Sequence, residues 1–234
     1  MQVFYAPDID GSKYVLDQNE SKHIVRVMRM SSGTPVKLVD GKGNLYEGII
    51  DDPDPKECSI KITGIVNNFE TRNYRLHIAI SPLKNTDRLE WFIEKSVEIG
   101  IDEITPLICR NTEKPNIKKE RLVNIIVSAM KQSLKSTLTK INDPVEFKDF
   151  LEKGHDGTGM IAHCNEDYMR RKIADAYHPG KNALIMIGPE GDFSNEEIKA
   201  AMAKGFEGIH LGKSRLRTET AGVAACHSIY LLNQ

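Results

Sequence analysis

The chain predicts an α/β protein: a parallel sheet interleaved with helices over residues 71–234, preceded by a small β-rich domain over residues 1–70. Three observations carry this. The runs Gly159-Met-Ile-Ala-His163 and Ala183-Leu-Ile-Met-Ile187 are almost continuously apolar, as strands buried on both faces of a parallel sheet are. Leu89, Phe92, Ile93 and Val97 recur instead at helical spacing, with Gly100 placed to end that helix. Before residue 70 the apolar runs are short and divided by Gly, Asn, Asp and Pro, the residues of tight turns.

In chain order, Val36-Lys-Leu-Val39 and Leu45-Tyr-Glu-Gly-Ile-Ile50 flank Asp40-Gly-Lys-Gly-Asn44 and predict a hairpin. Asp51-Asp-Pro-Asp-Pro55 reads as a turn, and Ile60-Lys-Ile-Thr63 as a further strand. Asn67 and Asn68 open a polar stretch suited to joining two domains. Residues 76–80 and 104–108 predict strands on either side of the helix that Gly100 closes. Leu122, Ile125, Ile126, Ala129, Met130 and Leu134 form the apolar stripe of a longer helix. A strand over residues 208–211 and an apolar helix over residues 222–232 complete the chain.

With 234 residues, 40% hydrophobic and 28% charged, the composition fits a soluble globular protein with one large core or two smaller ones. No apolar run reaches the roughly 20 residues that a membrane-spanning helix needs, and the first residues lack the basic start and apolar stretch of a signal peptide. Cys58, Cys109, Cys164 and Cys226 are scattered without a CxxC pair, so reduced thiols in a cytoplasmic protein are expected and no metal site is. Walker, GxSxG and HExxH motifs are absent. Gly154-His-Asp-Gly-Thr-Gly159 has the wrong spacing for a dinucleotide fingerprint and precedes a strand, which makes it a surface turn. His163 lies in an apolar strand and is expected to serve the core.

Net charge is -1, yet Arg110, Lys114, Lys118, Lys119, Arg121, Lys131, Lys135 and Lys140 crowd one stretch. A basic face for nucleic acid and a solvated helix surface both account for that.

Two loops carry chemistry. The first, Ile187-Gly-Pro-Glu-Gly-Asp-Phe-Ser194, leaves an apolar strand and enters a helix whose start is marked by the capping-box pair Ser194 and Glu197. Gly188 and Gly191 allow a sharp turn and close ligand approach, and Pro189 stiffens it. An ordinary tight connection explains this loop equally well. The second, Leu211-Gly-Lys-Ser-Arg-Leu-Arg-Thr-Glu-Thr-Ala221, also joins a strand to a helix. Thr218 suits the helix cap, and Glu219 favours the positive helix end. Arg215 and Arg217 near the same end call for an anion or a carboxylate close by.

These loops resemble the two signature loops of the SPOUT methyltransferases, and the closer resemblance is to the 16S rRNA (uracil-N3)-methyltransferases of the RsmE family. It covers most of the chain. His23-Ile-Val-Arg-Val-Met-Arg29 and Asp40-Gly41 match that family's first domain. Lys84-Asn-Thr-Asp-Arg-Leu-Glu-Trp91, with Lys95, Glu98, Gly100 and Gln132-Ser133, matches its central signature. The family often has glycine where Asp192 stands, and a basic then an aliphatic residue where Ser214 and Arg215 stand.

The resemblance implies an RNA-gripping PUA-like β-barrel followed by a trefoil-knotted domain that holds S-adenosyl-L-methionine (SAM), assembled as a homodimer acting on 16S rRNA of the small ribosomal subunit, at uracil 1498. By the motif match, Ile187, Gly188, Pro189, Glu190, Gly191, Leu211, Gly212 and Leu216 hold SAM, and Arg217 and Glu219 serve the reacting end. His23, Arg26, Arg29, Lys84, Arg88 and Arg110 are the expected RNA contacts. Uracil N3 carries a proton, so a base and a stabiliser of the resulting anion are needed. Glu219 and Arg217 are the respective candidates. Other readings are a SPOUT enzyme acting on ribose 2′-OH or on tRNA, and a non-catalytic RNA-binding protein.

Overall fold

The computed structural model of the chain describes residues 3–234. It divides into two compact units. One takes the described residues up to Thr71 together with Val127–Leu138, and the other takes Arg72–Ile126 and Thr139–Gln234.

The first unit is built on a five-stranded sheet of β1 (Val3–Tyr5), β2 (Lys13–Val15), β3 (Pro35–Val39), β4 (Leu45–Asp52) and β5 (Ser59–Val66). The strand order is β1-β3-β4-β5-β2, so β1 and β2 lie at the two edges. The expected hairpin is present as β3 and β4, antiparallel with Val39 opposite Leu45. Asp40 organises its turn: Oδ1 accepts from the backbone N–H groups of Lys42 and Asn44, and Oδ2 accepts from Asn44 Nδ2. Such side-chain acceptors let a turn dispense with ladder bonds. β4 runs on through Asp51 and Asp52 before the prolines end it, two residues beyond the expected strand.

Between β2 and β3 lie helix α1 (Gln18–Lys22), capped by the Asp17 carboxylate, and a π-helical turn over His23–Val27. Phe4, Ile24, Leu38, Ile50 and Ile60 are the buried centre of this unit.

The second unit holds β6 (Leu76–Ile80), α2 (Thr86–Ile99), β7 (Glu103–Ile108), α3 (Lys119–Gln132), β8 (Lys140–Ile141), β9 (Val145–Glu146), α4 (Phe147–Glu152), β10 (Thr158–Ala162), β11 (Arg171–Lys172), α5 (Ile173–Ala176), β12 (Ala183–Ile187), α6 (Asn195–Ala203), β13 (Glu207–His210) and α7 (Thr218–Leu232), with α3 running out of this unit at its end. The sheet order is β11-β13-β10-β12-β6-β7-β8, with β9 on β7, and the pairings are parallel. All five residues of β12 are buried, as a central strand covered on both faces requires.

Helix ends follow their residues. Gly100 caps α2 in the left-handed region at φ 115°, donating to the Ser96 carbonyl. α6 begins with a complete capping box between Ser194 and Glu197, as its spacing predicts. α3 departs from expectation. It ends at Gln132, and Leu134 is not part of its stripe but sits at φ 60° beyond it. The N–H groups of Leu134 and Lys135 return to the carbonyls of Lys131 and Met130, so two helix-end acceptors are satisfied at the cost of a strained leucine.

At α7 the cap is Arg217, in extended conformation, with no side-chain hydrogen bond. Thr218 is already helical and buried, so it does not cap. Among the described residues, no helix is long and apolar enough to cross a membrane.

Candidate active site

β10, β12 and β13 end side by side. Ala162 lies opposite Ile187 on one flank and Ile209 on the other. Their following loops therefore leave the sheet at one level, at the carboxyl edge where open α/β sheets bind ligands. Two adjoining cavities open there, of about 290 and 770 Å³, both touched by Ala162, Cys164, Asp192, Arg215, Leu216 and Ala221. Organic cofactor sites commonly span roughly 300–1,000 Å³.

The residues expected from sequence divide between them. Ile187, Gly188, Pro189, Glu190 and Arg217 line the smaller cavity, Leu211 and Gly212 the larger, and Leu216 both. Gly191 lines neither. Its carbonyl accepts from Asn111 Nδ2, and an added Cβ would stand 3.3 Å from the Asn111 Cβ, so its lack of a side chain serves the brace beneath the loop. Gly188 is similarly confined: an added Cβ would stand 3.0 Å from the Phe193 ring. Gly212 has φ 119° with open space around it, so it is backbone conformation that requires glycine there.

Asp192 also occupies the left-handed region, at φ 63°. Its Oδ2 accepts from the Cys164 backbone N–H at 2.8 Å and its Oδ1 from the Phe193 N–H at 2.8 Å. The carboxylate thus ties the loop after β10 to the loop after β12. A glycine there would adopt the turn more easily but would lose the tie.

The contribution of β10 was not legible in sequence. His163 was expected in the core, and it is buried. It also borders the larger cavity, and neither ring nitrogen has a hydrogen-bond partner among the described residues. Burial holds its imidazole below the usual range, and Arg170 adds to that effect.

Glu219 is buried in the first turn of α7. Its side chain is 9% exposed; Oε1 is 3.8 Å from Arg88 Nε, and Oε2 has no hydrogen-bond partner among the described residues. Arg217 is exposed at the cavity and has no ion-pair partner among the described residues.

Lys84 pairs with Glu113 at 2.9 Å, and Arg110 with Glu196 at 3.1 Å. His23, Arg26 and Arg29 are exposed on and just after the π-helical turn, with Arg29 at φ 55°. The basic stretch is largely compensated: Lys119, Arg121, Lys131, Lys135 and Lys140 each have a carboxylate partner, to Asp143, Glu90, Glu20, Glu70 and Glu103. It is therefore closer to a solvated, ion-paired surface than to a bare basic face.

Residues 70–230 match the model of the RNA methyltransferase domain, and residues 16–63 that of the RNA methyltransferase PUA domain. The ribosomal RNA small subunit methyltransferase E of Mesomycoplasma hyopneumoniae is 35% identical over 73% of this chain and 75% of its own. The probable rRNA-methyltransferase of Porphyromonas gingivalis superposes with TM-score 0.94 at 40% identity, covering 100% of this chain and 98% of that one. The ribosomal RNA small subunit methyltransferase E of Neisseria gonorrhoeae, solved with SAM bound, gives TM-score 0.90 at 27% identity over 100% and 98% of the two chains. With the two signature loops brought to one cleft and both domain models matched along its length, the chain belongs to the ribosomal RNA small subunit methyltransferase E family of RNA methyltransferases.

Proposed function

We propose that this chain uses SAM to methylate N3 of uracil 1498 in 16S rRNA of the small ribosomal subunit. The observation that carries the reading is the convergence of the two signature loops on one cleft, with Arg217 and Thr218 lining the smaller cavity and Glu219 next in the chain.

The cleft suits the cofactor. Backbone at Ile187, Gly188, Leu211 and Gly212 and the Leu216 side chain would hold it, between walls too close for larger residues at Gly188. When bound, SAM supplies an electrophilic methyl group on a sulfonium. Everything else is asked of the protein: to align the nucleophile, exclude water and deal with the N3 proton. Glu219 takes that proton, and Arg217 stabilises the negative charge left on the uracil. The trefoil knot, a homodimer joined through α7, cytoplasmic action and RNA gripping by the first domain belong to the same reading. α7 supports the dimer: it is apolar around much of its circumference, and Leu231 is exposed.

Mass-spectrometric mapping of rRNA nucleosides from a strain lacking the gene tests the product. Loss of N3-methyluridine from 16S rRNA is expected, and loss of a ribose methyl or of another base modification would overturn the assignment. Glu219→Gln keeps size and hydrogen bonding but removes the base, so single-turnover transfer should slow by roughly 100-fold or more. A near-normal rate would return Glu219 to a helix-start role. Arg26→Ala should lower the salt dependence of RNA binding by about one unit of log–log slope, with SAM affinity unchanged.

A further inference from the structure

The two arginines near Glu219 differ in what they are committed to. Arg217 faces the cleft with no ion-pair partner among the described residues, whereas Arg88, in the first turn of α2, has its Nε 3.8 Å from Glu219 Oε1. The packing of α2 on α7 holds that pair. A Cβ on Gly222 would fall 2.5 Å from the Phe92 ring and 3.1 Å from Ile80, so the helices meet there without an intervening side chain. Arg88 lies one turn before Phe92, and Glu219 one turn before Gly222, so the contact that joins the helices also sets arginine against carboxylate.

A carboxylate this buried needs compensation. The start of α7 supplies part of it, and Arg88 supplies a full charge at Oε1. Oε2 is left buried with nothing to bond. Such an orphan acceptor is costly unless a donor arrives to meet it.

We propose that Arg88 is the positioning residue for Glu219. Its guanidinium, 3.8 Å from Oε1, fixes the orientation of the carboxylate that takes the N3 proton of the target base. The inference rests on the reading of Glu219 as the base, and it removes Arg88 from the RNA-contact set. The step balances simply: the N3–H bond breaks, its electron pair stays on nitrogen, and the proton passes to the Glu219 carboxylate, leaving Glu219 neutral beside Arg88.

A double-mutant cycle on the full-length protein, with small ribosomal subunits lacking the modification as substrate, tests this. Arg88→Gln should lower the single-turnover rate at least about tenfold, while the KM for subunits changes less than about threefold, and Arg88→Lys should restore part of the rate. SAM affinity by calorimetry should be unchanged in both, which also shows that they fold. In a Glu219→Gln background, Arg88→Gln should add almost nothing, because a residue acting through another loses its effect when that other is gone.

If the two losses multiply, or if Arg88→Gln acts through KM and lowers the salt slope by about one unit, Arg88 is a phosphate contact and the inference fails while Glu219 stands. If Glu219→Gln alone is near normal, the base assignment fails and takes this inference with it.

Discussion

At the amino ends of β6 and β7, His77, Glu103, Thr105 and Asn142 line a cavity of about 540 Å³ and bond one another. At the carboxyl ends of β10, β12 and β13, His163 and the buried carboxylate nearby do not. In the first cluster, His77 Nε2 is 2.7 Å from Thr105 Oγ1. Asn142 Nδ2 donates to both Thr105 Oγ1 and Glu103 Oε1, and Lys140 and Arg75 pair with Glu103. In the second, both nitrogens of His163 and Oε2 of Glu219 lack partners among the described residues, and Asp192 and Gly212 hold left-handed backbone. A void lined by satisfied groups is architecture. A void of about 770 Å³ bordered by the unsatisfied His163, on loops with left-handed backbone, is preorganised for something that completes it. Orphaned polar atoms mark the working end of this sheet.

The largest effect that sharpens this contrast is the acid response of the closed network. Burial pushes His77 down to about 4 from 6.5, so it is neutral when folded at neutral pH. The unfolded chain takes up a proton below about pH 6.5, the folded one only near 4, so stability falls as pH drops through that window, by about 3 kcal/mol from this group. Further down, Glu103 adds a second loss. Burial opposes its ionisation, but hydrogen bonds from Asn142 and Lys140 hold its carboxyl low, and that stabilisation disappears on protonation. Urea denaturation at pH 7 and pH 4.5 should show the drop, and His77→Gln should flatten it while leaving SAM affinity unchanged. A weakened SAM affinity in that variant would break the separation of the two ends.

A smaller effect is expected at Asp192. Removing its two charge-assisted hydrogen bonds in Asp192→Ala, with φ 63° retained, should destabilise the fold by about 2 kcal/mol and weaken SAM binding measurably. Asp192→Gly loses the same bonds but relieves about 1 kcal/mol of left-handed strain, so it should be the milder of the two in denaturant. Equal destabilisation by both would show that the backbone conformation contributes nothing.

The smallest perturbation needs no mutation. Cys164 is the exposed thiol at the cleft, while Cys58, Cys109 and Cys226 are buried, and burial raises all three further out of reach of the thiolate. A thiol reagent should modify one cysteine quickly and three only on unfolding. Saturating SAM should slow the fast reaction severalfold, and absence of protection would place the cofactor elsewhere.

Much of the fold was legible because local rules and tertiary packing agree. The β3–β4 hairpin, the Gly100 stop of α2 and the Ser194 capping box were visible as residues with one conformational use. Where they disagreed, packing won. Leu134 has the apolar character to continue α3 but occupies a left-handed helix end, and Thr218 has the side chain of a cap yet is drawn into the first helical turn. The role of Asn111 beneath the glycine loop left no signal, since a single asparagine more than 75 positions from its partner follows no pattern.

The alternation of strand and helix and the two loops able to bind a ligand are written locally in the residues, since hydrophobic period and glycine placement are local properties. That the end of β10 joins them, and that the basic stretch after Arg110 is largely ion-paired, follows from packing alone. Packing also sets Arg88, still partly exposed, against a buried glutamate. Those are facts about which distant residues become neighbours, and they follow from parallel strand order and helix packing that no local pattern encodes.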